Sequence, residues 1–168
     1  MSTTTTITTW RDFAAQAPDL AAFAAARIEA HGLALLATLR ADGAPRISGL
    51  EPLITEGELW FGMMPGSRKV ADLERDPRFT LHNATIDKGV TDGDVKISGR
   101  AVVVPDGSPE MERFRAAFAE ATGYGPPPGP MNLFTADLTG VSSVRPAGDH
   151  LVIEWWHPGD GPHSMKRS

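Results

Sequence analysis

The chain has 168 residues, about one domain's worth at roughly 100–200 residues per domain, and enough to close one substantial hydrophobic core. Apolar residues at 41% and charged residues at 22% exclude a disordered or fibrous chain. A formal charge of −5, from 16 basic and 21 acidic side chains, argues against a general nucleic-acid binder. The absence of cysteine excludes disulfides, thiolate metal sites, iron–sulfur clusters and cysteine nucleophiles.

No apolar run approaches the roughly 18 residues that cross a bilayer. The start, Met-Ser-Thr-Thr-Thr-Thr-Ile, has no basic residue followed by an apolar segment and is not a secretory signal. A cytoplasmic location without a membrane partner is the expectation. Residues 1–9 read as a loose arm or an edge strand, 10–157 as a single domain and 158–168 as a polar tail.

In chain order, a first helix follows Pro18-Asp19, where Asp19 is placed to cap free amides. Leu20, Phe23, Ala24, Arg27 and Ile28 recur at helical spacing, and Gly32 offers a stop. Leu33 to Arg40 and Pro45 to Ile54 read as strands about the turn at residues 41–45. Glu56-Gly57 turns the chain into a third strand, Glu58 to Met63, which predicts an antiparallel meander. A short helix from about Ser67 to Arg75 stops at Asp76-Pro77. Arg78 to His82 is a fourth strand, and Val95 to Val104 a fifth with clear alternation. Ser108-Pro109-Glu110 opens a further helix with a cap, a first-turn proline and an acid near the positive end; Gly123 ends it. Residues 123–130 form a glycine- and proline-rich loop. Strands near residues 132–138 and 150–156 complete the fold. Strands in hairpin order with helices between them suit a mainly β, antiparallel barrel with flanking helices. Several strands are apolar on both faces, so the outer face needs helices or a second chain to cover it.

The segment Pro65-Gly66-Ser67-Arg68-Lys69 carries the most chemistry. A glycine turn feeds an N-cap serine into a helix whose first two residues are cations. Those charges oppose the helix macrodipole by roughly a few tenths of a kcal/mol each unless an anion sits there. A phosphate would meet free amides, a hydroxyl, the planar fork of Arg68 and the point charge of Lys69. The same spacing also fits an ordinary capped surface helix. Arg46, opening the second strand among small and apolar residues, is a second candidate for the same anion; it also fits a strand-end arginine reaching water. The meander would set its strand beside the one that delivers Gly66-Ser67.

Elsewhere no catalytic constellation stands out, and the catalytic residues are unassigned. The five histidines are scattered, with no helical metal pair and no nucleophile turn, and Asp92-Gly93-Asp94 reads as a turn rather than a metal cluster. His82 alone lies in a strand that could line a pocket. Trp155-Trp156 reads as core or interface packing, or as a flank for a planar ligand. A chain without an evident acid, base or nucleophile points to reactivity borrowed from a cofactor.

The order of these elements resembles the pyridoxamine 5′-phosphate oxidase-like family, the flavin-binding split barrels. The resemblance is carried by Leu-Ala-Leu-Leu-Ala-Thr-Leu-Arg-Ala-Asp-Gly-Ala-Pro at 33–45, Gly-Ser-Arg-Lys at 66–69, Asp-Pro-Arg at 76–78 and Val-Lys-Ile-Ser-Gly-Arg-Ala at 95–101. It implies a homodimer with FMN at two sites between the subunits. It implies that Arg46, Ser67, Arg68 and Lys69 hold the cofactor phosphate, and that backbone around Ile47 and Ser48, and around Phe61, Gly62 and Met63, borders the ribityl chain and ring. Trp155 or Trp156 would reach the partner's flavin.

Three departures speak against vitamin B6 phosphate as the substrate. Glu51-Pro52 occupies the place of a second-strand lysine, Asp94 replaces a glutamine, and the C-terminal arginine–histidine motif is absent. The expectation is an FMN-dependent oxidoreductase acting on a small organic molecule. The alternatives are a deazaflavin-dependent reductase of the same fold, or a non-catalytic protein holding flavin or haem, with His82 the histidine to test for haem.

Overall fold

A computed structural model describes residues 6–85, 87–126 and 129–168. Most of the threonine-rich start and two prolines of the 123–130 loop lie outside the described residues. The elements are α1 (Trp10–Gln16), α2 (Pro18–Glu29), β1 (Ala34–Leu39), β2 (Pro45–Leu50), β3 (Pro52–Thr55), β4 (Glu58–Met63), α3 (Arg68–Arg75), β5 (Arg78–Asn83), β6 (Asp94–Val104), α4 (Pro109–Thr122), β7 (Asn132–Ala147), β8 (His150–His157) and β9 (Gly161–Arg167).

The strands form one antiparallel sheet in the order β2-β1-β5-β6-β7-β4-β3, with β8 and β9 continuing from the far half of β7. Long β7 serves both branches: Asn132–Thr135 pair with β4, and Val141–Ala147 pair with β8. The first and last strands of the main path, β2 and β3, are separated only by Glu51. This single residue therefore joins the two ends of the sheet and curls it into a barrel. The fold is the expected antiparallel split barrel with flanking helices.

Four expectations need correction. Pro45 to Ile54 is not one strand but two, and it is β3, not β2, that pairs with β4. An additional helix, α1, precedes the first expected one; it is capped by Thr9, whose hydroxyl accepts from the amide of Asp12 while Asp12 accepts from the amide of Thr9 at 2.9 Å. Asp19 is not the cap of α2: Ala17 holds that position with Pro18 at the first turn, and Asp19 instead faces the positive end of the helix dipole. Residues 161–167, expected in a polar tail, form edge strand β9.

Alternation on the strands decides where the core sits. Leu36, Leu81, Ile97 and Val141 point inward with Phe61, Phe79 and Phe134, and α1 and α2 add Phe13, Leu20 and Ile28. On β4, Leu59, Phe61 and Met63 enter this core while Trp60 faces the other way, under Met111 and Phe114 of α4. Helix α4 thus covers the second apolar face of β4. The β3–β4 turn needs positive φ at both Glu56 (56°) and Gly57 (78°), and Arg11 of α1 holds it by bonds from its amide to Gly57 O and its guanidinium to Glu56 O, each 2.9 Å.

The face turned away from the core is less covered. Cross-strand partners place Gly49, Leu35, His82, Lys96, Ser142, Trp155 and His163 in one row across β2, β1, β5, β6, β7, β8 and β9. Ile47 shares that face and is 70% exposed; Leu35 is 40% exposed.

Candidate functional site

Helix α3 begins at Ser67, whose backbone is extended as an N-cap requires but whose hydroxyl makes no capping bond. The Ser67 oxygen is buried, with no hydrogen-bond partner among the described residues. No acid stands in the first turn, and the helix opens with Arg68 and Lys69. An uncapped end with an orphaned hydroxyl and two cations is the arrangement that an anion completes.

α3 packs on β1, and this packing, rather than pairing of β2 with β4, brings Arg46 to the helix. Arg46 Nε donates to Asp72 Oδ2 at 2.6 Å, and Thr38 of β1 donates its hydroxyl to the same oxygen at 2.9 Å. Arg75 donates to Asp72 Oδ1 at 3.2 Å and also reaches the carbonyl of Leu39. Asp72 is only 3% exposed. Burial pushes its carboxyl up, but the bonds from Arg46, Thr38 and Arg75 outweigh it and hold the group below the usual carboxylate range. The Arg46 bond uses Nε, which leaves the two Nη groups for another acceptor.

Arg46 and Arg68 line one open cleft of about 320 Å³ together with Arg40 and Arg75; the acids on its walls are Asp42 and Asp72. Four arginines against two aspartates leave a net excess of two positive charges, matched in size to a phosphate dianion. Ser67 and Lys69 line a neighbouring cleft of about 310 Å³ with Gly49, Glu51, Gly62 and Met63. Lys69 Nζ donates to Gly49 O at 2.6 Å, tying the helix start to the end of β2.

The expected site residues therefore fall into several places. Arg46 and Arg68 share one cleft; Ser67, Lys69, Gly62 and Met63 share the next. Ile47 points to the exposed outer face, and Ser48, one residue on, alternates to the opposite side. The Phe61 ring is fully buried, edge-on to Phe79 at 4.9 Å, so only backbone is left there to border a ligand. Trp156 is also fully buried, 4.7 Å from the Phe13 ring, and its indole donates to Gln16 at 3.2 Å, which encloses it within this chain's core. Trp155 lies on the outer row, stacked on His163 at 5.5 Å.

The sequence reading did not single out Thr38, Asp72 or Arg75. Asp72 and Arg75, three apart on a short helix, look like a solvated surface pair until β1 is laid against them. No group of three or more histidine or carboxylate side chains suited to a metal occurs among the described residues.

The family model for Pyridoxamine 5′-phosphate oxidase matches residues 20–145 of the 168. No curated protein matches the sequence. Among solved structures, the chain is similar to PhzG from Burkholderia lata 383 in complex with tetrahydrophenazine-1-carboxylic acid, at 16% identity and TM-score 0.60, covering 90% of this chain and 92% of that one. It is similar to HutZ, the haem storage protein from Vibrio cholerae, at 18% identity and TM-score 0.58, over 75% of this chain and 92% of that one. It is similar to ChuZ of Campylobacter jejuni at 14% identity and TM-score 0.68, over 87% of this chain but only 61% of that one. The likenesses to solved structures establish the fold, and the family match covers β1 to β6 and most of β7 with the whole arginine cleft: the chain belongs to the pyridoxamine 5′-phosphate oxidase family.

Proposed function

We propose that this protein binds FMN and acts as an oxidoreductase on a small organic molecule. The observation that carries the reading is the pairing of Arg46 and Arg68 on one cleft with a net positive lining, beside the unpartnered Ser67 hydroxyl. The residues present fit the phosphate end of the cofactor. Arg46, oriented by Asp72, and Arg68 would take its oxygens, Ser67 would donate a hydroxyl hydrogen, and Lys69 would add charge from the adjoining cleft. Bound FMN supplies hydride or electron-pair transfer at its ring. The chain's own part is to anchor the phosphate, to border the ribityl and ring with backbone at Ile47–Ser48 and Phe61–Met63, and to keep water from one face.

The exposed outer face supports a homodimer. Leu33, Leu35 and Ile47 leave an apolar patch beside the Ser67–Lys69 cleft, and a second copy would cover it. Trp155 is the tryptophan placed on that face. Among the described residues no helix is long and apolar enough to cross a membrane.

The test is the flavin content of the purified protein and of the Arg68→Ala, Lys69→Ala double variant. The reading expects FMN in the first and loss of most of it in the second, with the fold intact by circular dichroism. Undiminished flavin in the double variant contradicts the phosphate assignment. The emission spectrum of the released cofactor separates FMN from a deazaflavin.

A second reading, haem or flavin held without turnover, is favoured by the likeness to HutZ. His82 sits on the outer row between Leu35 and Lys96, with Nδ1 against the carbonyl of Asn83 at 2.5 Å and Nε2 3.6 Å from Asp94. A Soret band that disappears in His82→Ala supports this reading; repeated reduction and reoxidation of bound flavin supports the first.

A further inference from the structure

A cavity of about 490 Å³ lies between β3, β4 and α4; of its lining only Gly62 and Met63 have a part in the proposed FMN site. Its walls are Leu53, Trp60, Phe114, Phe118 and Met131, with Glu51 the one ionisable side chain among its lining residues. It opens to solvent beside Glu51 and Met64, both exposed. Trp60 and Phe114 pack on each other at 5.6 Å in the core that floors it. The volume lies in the range of roughly 300–1,000 Å³ that small-ligand sites occupy.

The cavity is not isolated. Glu51, Gly62, Met63 and Met64 line both it and the cleft that holds Ser67 and Lys69. The two spaces share a wall made of the sheet-joining residue and the end of β4. Gly62 has ordinary negative backbone geometry, so no turn requires a glycine there. A β-carbon at that position would sit 3.6 Å from Met131 Cε and 3.7 Å from Phe114 Cζ, against two of the cavity's lining residues. A glycine in a strand interior marks a bulge, a barrel-corner bend or a close approach of a ligand or of another backbone.

We infer that this cavity is the substrate chamber of the site and takes a planar aromatic molecule that is uncharged or cationic. The inference rests on the proposed flavin reading for the word substrate, but the binding preference follows from the walls alone. Trp60 and Phe114 are buried, so the accessible wall is the half-buried Phe118 with Leu53, Met131 and the exposed Met64; one aromatic ring and methionine sulfur favour a flat apolar guest. The lone carboxylate of the lining, Glu51, favours a cation and repels an anion. The arginines lie on the other cleft, so no cation in the cavity lining is available to hold a phosphate or carboxylate.

The test uses the flavin-loaded protein and three compounds with one ring system: naphthalene-1-methanol, 1-naphthylmethylamine and 1-naphthoate, titrated by calorimetry. The alcohol and the ammonium bind, and the carboxylate binds about tenfold more weakly or worse, the scale of one partly screened like charge. Glu51→Gln narrows the gap between ammonium and carboxylate to about threefold or less. Leu53→Trp, which fills the space, weakens all three compounds about tenfold while flavin content is retained. Equal affinity for ammonium and carboxylate, or an unchanged gap in Glu51→Gln, overturns the assignment. Bound flavin with no binding of any of the three also overturns it and leaves the flavin reading standing. The same ranking in a protein that holds no flavin supports the chamber, and only the flavin reading fails.

Discussion

Arg46 and Asp72 stand 26 residues apart in sequence, yet Nε of the one donates to Oδ2 of the other at 2.6 Å, and the carboxylate is almost wholly buried. The pair couples the second strand to the helix that carries Ser67 and Arg68. It sets where the arginine fork lies, and it places a negative charge where a cluster of arginines would otherwise repel itself.

Asp72→Asn removes that charge. Arg46 and Arg75 keep partial access to water, at 24% and 40% side-chain exposure, so the loss falls short of the full cost of a stranded buried ion. The expected destabilisation at neutral pH is about 1–3 kcal/mol by chemical denaturation. Its pH dependence has a definite sign. The native carboxyl lies below its ordinary value, so its contribution is complete above the unfolded-state pKa of about 3.9 and is lost as pH falls below it. The difference between wild type and variant is therefore largest near pH 7 and shrinks below about pH 4. A difference that grows on acidification contradicts the assignment.

Gly99 sits at the register shift between Ser98 and Gly99 on β6. A β-carbon there would lie 2.5 Å from the carbonyl oxygen of Asp137 and 3.0 Å from the Phe79 ring. Neither a backbone oxygen nor a core ring moves cheaply. Gly99→Ala should destabilise by about 1–3 kcal/mol, read from the denaturation midpoint. A midpoint equal to that of wild type would show that the strand can slide at this point.

How much of this was legible in the sequence depends on whether the signal was local. Helix α4 was readable because its cap, Ser108, its first-turn proline and its left-handed Gly123 are all neighbours in sequence. The alternation of β6 was equally plain. Helix α1 was missed although Thr9 and Asp12 spell a capping box, because seven residues are too few to show a period; its anchor is the burial of Trp10 and Phe13. Strand β9 was missed because it pairs only with β8 and is exposed at most positions, so no apolar alternation marks it. The break at Glu51 was hidden within a run apolar on both sides. At the site, Ser67, Arg68, Lys69 and Arg46 were legible as chemistry. Asp72, the partner of Arg46, was not, because what distinguishes it from a surface acid is a strand 34 residues away that buries it and donates through Thr38. The aromatic cavity is likewise assembled from β3, β4, α4 and the start of the 130–131 segment, none of which signals a chamber by itself.

Ile47 tests the proposed homodimer. The side chain is 70% exposed on the outer face, opposite Ala37 of β1, and makes little contribution to the core of its own chain. Ile47→Glu should leave the fold unchanged and weaken self-association about a hundredfold or more, because the new carboxylate would be buried without a partner. Sedimentation velocity across a concentration series reads this directly. A dimer of unchanged affinity would place the interface elsewhere.

The arginine cleft beside Ser67 is the proposed grip on the phosphate. It is tested by comparing the affinity of the apoprotein for FMN and for riboflavin, which has the same ring and ribityl chain but no phosphate, in wild type and in the Arg46→Ala, Arg68→Ala double variant. Two charge-assisted contacts predict a preference for FMN of about a hundredfold or more in wild type. The double variant should lose most of that preference and bind the two flavins almost equally. Equal affinity of the wild type for both flavins, or an undiminished FMN preference in the double variant, would mean that these arginines do not hold the phosphate.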